Sequence, residues 1–192
     1  MKQPAPDSLR VAESARTIAL QMLEERGRGA VLVGVARVDA ALEHLLQAMM
    51  GPAPAKGDGL FLPERPLGSL GAKAALASRL GLIDPAVAQA LAVLRKLRNA
   101  FAHSAASASL ADPAHSARLA DVVSQARSNP LWAPLETVLA AQPPTPHGPL
   151  DPALRDYILL ITILVAFLEA TAHQLRPFQP PVVMSFSGVT VS

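Results

Sequence analysis

The residues most able to do chemistry lie in one stretch, LRKLRNAFAH, at positions 94–103. At about 100° per helical residue, Arg95, Asn99 and His103 stack at i, i+4 and i+8 as one polar row. Ala90, Leu91, Leu94, Leu97 and Phe101 form an apolar stripe on another side. Arg98 falls on the shoulder of that stripe. A guanidinium there must reach outward or find a carboxylate, because an unpaired buried charge is costly. Two carboxylates are placed to answer it. Asp39 and Glu43, with His44, are the polar positions in the apolar pattern Ala30 to Met50, whose core side is Val31, Val35, Val38, Leu42, Leu45, Leu46 and Met49. The expectation is that Arg98 pairs with Asp39 or Glu43 across a helix–helix contact. Such a pair sets helix register more often than it does chemistry. Asp39, Glu43 and Arg95 are thus candidates for structural or partner pairing.

Other chemistries are poorly provided for. The chain has no cysteine, which excludes thiol catalysis, disulfide scaffolds and Cys-based zinc sites. His44, His103, His115, His147 and His173 include no two at helical metal-ligand spacing, so no metal is expected without tertiary convergence. Ser69, Ser104 and Ser107 frame the 94–103 stretch, but no nucleophile-elbow pattern accompanies them. Gly57, Gly59, Gly68 and Gly71 are too scattered for a phosphate-cradling loop, and no cofactor is expected.

The elements that must position these residues are well punctuated. Asp84-Pro85, Asp112-Pro113 and Asp151-Pro152 each precede a helical pattern, with Asp suited to cap and Pro to the first helical position. Gly27, Gly51 and Gly81 each follow one. The pattern predicts helices near 7–26, 30–50, 69–80, 85–103, 113–128 and 152–175, with a shorter piece around 131–141. Residues 51–68 and 142–150 are Pro-rich linkers. Within the first, the run Leu60-Phe61-Leu62 must cover either this core or another subunit, and Trp132, Phe61 and Phe178 are anchors for a partner or seals at the edge of a bundle.

With 192 residues, 51% hydrophobic and 17% charged, the chain has material for one well-buried domain. The fold class is all-α, a bundle of five to seven helices over 1–176, followed by a tail, 177–192, that is flexible or packed on a partner. A net charge of +2 does not advertise a nucleic-acid or membrane binder. The run YILLITILVAFL at 157–168 is too short for a span of roughly 20 residues and reads as a central core helix. MKQPAPDSLR has no apolar signal region, so a cytoplasmic location is expected.

The order of parts resembles the mannitol operon repressor family, MltR. RGAVLVGVARVDAALEHLL (28–46) is followed by a Pro/Gly-rich linker, PLGSLGAK (66–73), GLID (81–84), LRKLRNAFAH (94–103), SLADP (109–113) and a long apolar closing helix (152–175). The resemblance covers 28–175. It implies an all-helical bundle without a helix-turn-helix, and a regulatory protein, dimeric, acting on transcription through a protein partner. Direct reading of DNA is not expected: the densest basic cluster, Arg95, Lys96 and Arg98, ends a core helix.

A second resemblance overlaps the first. Arg98-Asn99-Ala100-Phe101-Ala102-His103 fits the R-N-x-x-x-H pattern of HEPN domains, helical bundles of which many are metal-independent ribonucleases working at a dimer interface. That likeness implies an RNA substrate and catalytic roles for three residues. His103 would serve in acid–base chemistry, Arg98 would hold phosphate bidentately, and Asn99 would orient. Arg98 and His103 lie about 140° apart around a straight helix, so both can address one phosphate only across two subunits or a bend. The structural alternative is that Asn99 and His103 simply finish the helix, His at the negative end of its dipole and the two hydrogen-bonded at i, i+4.

Overall fold

A computed structural model describes residues 6–25, 27–53, 59–103, 108–143, 150–179, 182–186 and 188–191. Its helices are α1 (Pro6–Met22), α2 (Gly27–Met49), α3 (Leu70–Arg79), α4 (Pro85–His103), α5 (Pro113–Ala126), α6 (Trp132–Ala140) and α7 (Pro152–Gln174). The fold is an all-α bundle of seven helices among the described residues. A two-stranded antiparallel hairpin, β1 (Val182–Ser185) with β2 (Gly188–Val191), pairs Val182 with Val191 at its open end. The tail, expected to be flexible or held by a partner, therefore carries local pairing of its own.

The Asp-Pro starts work in two of three cases. Asp84 Oδ1 accepts from the Val87 amide at 2.8 Å, and Asp151 Oδ1 accepts from Ala153 and Leu154 at 2.9 and 3.2 Å. Asp112 departs from the expectation: its carboxylate turns backward to accept from the Ser109 amide at 3.0 Å and leaves the start of α5 without a side-chain cap. Gly81 closes α3 in the left-handed region (φ 71°), which a residue with a Cβ would adopt only under strain. Gly51, expected in the same role, does not adopt a positive φ.

The core is organised on α7. Thirteen of its residues are buried, including the whole run from Tyr157 to Ala166, because α1, α2, α5 and α6 all pack against it. The 157–168 run is the core helix that its length implied, and no described helix is long and apolar enough to cross a membrane. The most extensive contact of α7 is with α2. Tyr157 is fully buried and donates its hydroxyl to the Val31 carbonyl at 2.9 Å. A Cβ at Gly34 would meet that hydroxyl and the Ile161 side chain, so only glycine lets the two helices close here. Burial pushes the Tyr157 phenol far above its ordinary value of 10.0, and a backbone contact at Val35 offsets only part of this.

On the far side of α2, α4 and the short α3 complete the layer. The apolar stripe of α4 is the one its spacing dictates: Ala90, Leu91, Leu94, Leu97 and Phe101 are its buried residues. That seating fixes which way Arg95, Arg98 and Asn99 face.

Candidate functional site

The site is built where α2, α3 and α4 meet. α3 begins at Leu70 because Ser69 caps it, its side chain accepting from the Ala72 amide at 3.2 Å. The turn before it is tight. A Cβ at Gly68 would fall on the Leu62 and Pro63 carbonyls, so the Gly-Ser pair of PLGS is a packing requirement as well as a cap.

One face of α3 carries Leu70, Lys73 and Ala77 into the bundle. Lys73 is 2% exposed, the one buried cation among the described residues. Its ammonium lies 2.8 Å from Glu43 Oε2, as a hydrogen bond, and 3.0 Å from Asp39 Oδ1. The Asp39 contact is an ion pair without hydrogen-bond alignment, which leaves that buried oxygen with charge compensation but no donor. The two carboxylates singled out on α2 are thus the partners of a cation, but of Lys73 and not of Arg98. The expected pairing of Arg98 with Asp39 or Glu43 fails, because Arg98 turns outward from the stripe and α3 delivers a closer cation. The signal for Lys73 was present in the sequence: it is the only charge at apolar spacing, between Leu70 and Ala77, on a short helix.

Arg98 is exposed, as are Arg95 and Asn99. No hydrogen bond or ion pair of Arg95, Arg98 or Asn99 exists among the described residues. All three line a cavity of about 310 Å³ between α2, α3 and α4, whose other walls include Asp39, Gly68, Ser69 and Gly71. Arg95 crosses the first turn of α3 so closely that a Cβ at Gly71 would come within 2.8 Å of its guanidinium.

His103 is separated from this group. It is the last residue of α4, exposed, and not part of the cavity lining. The Asn99–His103 hydrogen bond expected of a merely structural pair is not formed among the described residues. The end of α4 is served instead by Arg28 of α2, which donates to the Ala102 carbonyl at 3.0 Å and places a cation at the negative pole of the helix.

The remaining candidates divide cleanly. His44 and His173, far apart in sequence, come together: their rings lie 5.7 Å apart, and His44 Nδ1 is 2.6 Å from Glu169 Oε2. His173 and Glu169 line a groove of about 670 Å³ between α1 and α7. No group of three His, Asp or Glu side chains among the described residues is arranged to hold a metal. His115 packs on Phe101. His147, Ser104 and Ser107 lie outside the described residues. Trp132 and Phe61 are buried, sealing the bundle, whereas Phe178 is exposed. The family models, curated proteins and solved structures with which the chain was compared include no match to it.

Proposed function

We propose that this chain is a regulatory protein of the kind its resemblance to the mannitol operon repressor family implies, cytoplasmic and dimeric, acting on transcription through contact with a protein partner. The observation that carries the reading is the α2–α3 linker. Phe61 is anchored in the core, while Leu60 and Leu62 beside it are 43% and 56% exposed. A loop fastened by its central residue holds two leucines outward at fixed positions, which suits them to burial against another chain. Direct DNA reading has less support, since Arg95, Lys96 and Arg98 belong to a helix whose apolar face is locked into the core rather than to one free to enter a groove.

A second reading, a metal-independent ribonuclease or RNA binder of the HEPN kind, is favoured by the exposure of Arg98, Asn99 and His103. Arg98 opens into the cavity and His103 lies outside it, so the pair would have to be completed by a second subunit.

Purified wild type, His103→Ala and Leu60→Ser/Leu62→Ser separate these. Each is assayed for RNA cleavage in EDTA and sized by sedimentation. The regulatory reading expects no cleavage by any of them, and a wild-type dimer that the leucine variant dissociates. Cleavage by wild type that vanishes in His103→Ala, with folding and size unchanged, would replace it with the ribonuclease reading.

A further inference from the structure

We propose that the cavity between α2, α3 and α4 is a binding site for a small oxyanion, the phosphate or carboxylate group of a compact metabolite, held by Arg95, Arg98 and Asn99.

Three observations converge. First, the two arginines share a cavity and have no anionic partner among the described residues. The nearest carboxylate in the lining, Asp39, is already compensated by Lys73 at 3.0 Å. Two guanidiniums on one helix, three residues apart, repel each other unless an anion sits between them. A guanidinium offers a planar fork matched to phosphate or carboxylate oxygens.

Second, the chain makes room for this arrangement. Gly71 is the residue over which Arg95 lies, and any side chain there would push the guanidinium away. Third, the first turn of α3 is part of the same wall. Ser69 takes the Ala72 amide on its side chain and the Lys73 amide on its carbonyl, and the Leu70 and Gly71 amides have no acceptor among the described residues. The Asn99 carboxamide adds a neutral donor to the lining.

Size decides between ligand classes. About 310 Å³ is at the small end of ligand pockets. It accommodates an inorganic oxyanion or a compact metabolite carrying one, and the surrounding walls enclose it on three helices. A nucleic-acid strand would need an extended track instead.

The test is calorimetric titration of the full chain with inorganic phosphate, with sulfate and acetate as parallel probes, at low salt. Arg95→Ala, Arg98→Ala and Gly71→Ala are compared with Lys96→Ala, an exposed cation outside the cavity lining. Melting curves confirm that each is folded. Saturable one-to-one binding in the millimolar range or tighter is expected. Loss of either arginine should weaken it about ten- to a hundredfold, Gly71→Ala should weaken it without unfolding the chain, and Lys96→Ala should leave it unchanged. Preference for phosphate and sulfate over acetate would indicate a phosphorylated metabolite, and the reverse a carboxylated one. No binding in that range, or binding indifferent to both arginines, overturns the proposal. So does arginine-dependent binding of single-stranded RNA that free phosphate fails to compete.

Discussion

Lys73 and Arg98 sit on neighbouring helices, α3 and α4, and they are treated in opposite ways. Lys73 is buried, with two carboxylates within 3.0 Å. Arg98, with Arg95 beside it, stands exposed with none. A buried cation has to be neutralised or the helix carrying it will not seat. An exposed one is under no such pressure, so its position is free to be set by something outside the fold. One charge cluster fastens α3 to α2, and the other is one that the fold itself does not use.

The paired side depends most on its cation. Lys73→Met leaves Asp39 and Glu43 facing each other one helical turn apart with no cation between them. It should cost about 2–3 kcal/mol in denaturant unfolding, discounted from the fully buried case because both carboxylates are a third exposed. If the midpoint hardly moves, the trio is not what seats α3. Within the trio, Glu43→Gln should cost more than Asp39→Asn, since only Glu43 takes a hydrogen bond from the ammonium. Removing the cap of the same helix with Ser69→Ala should cost about 1 kcal/mol, and because Ser69 also lines the cavity, it tests whether α3 is held mainly by its face or by its start.

The bond from Tyr157 to Val31, between α7 and α2, provides a control in which neither partner is charged below alkaline pH. The Tyr157 phenol titrates above its ordinary 10.0 because burial opposes ionisation. A group whose folded value is raised contributes its full stability below the unfolded value and loses it as pH rises above it. Thermal stability should thus fall more steeply above about pH 10 in wild type than in Tyr157→Phe. The variant itself gives up the bond to Val31, about 1 kcal/mol at neutral pH. Equal alkaline slopes would show that Tyr157 is not what limits stability there.

Much of this was legible in the sequence, and what was not has a common cause. Asp84, Asp151 and Gly81 act through bonds to residues two to five positions away, so local spacing suffices to place them. The α4 stripe follows from helical period alone. Asp112 failed within that same local range, because Ser109 offered a competing amide. The partner of Asp39 and Glu43 is a different kind of miss. Arg98 and Lys73 both carry the right charge, and choosing between them requires knowing that α3 lies over α2. The meeting of His44 with His173 likewise depends on how α2 crosses α7, which no spacing within either helix encodes.

The unpaired side answers to a much smaller change. If Arg98 is free in the fold, Arg98→Ala should leave stability within about 0.5 kcal/mol of wild type. Relief of its repulsion with Arg95, at i, i+3, should even raise it by a few tenths in low salt. Added salt screens that repulsion, so the small gain should shrink as ionic strength rises. Melting wild type and Arg98→Ala side by side at low and high salt reads both signs. A loss of more than about 1 kcal/mol, by contrast, would mean that the guanidinium has work inside the bundle after all. The division between a fastening charge and an available one would then fall, and the cavity would have to be read as packing.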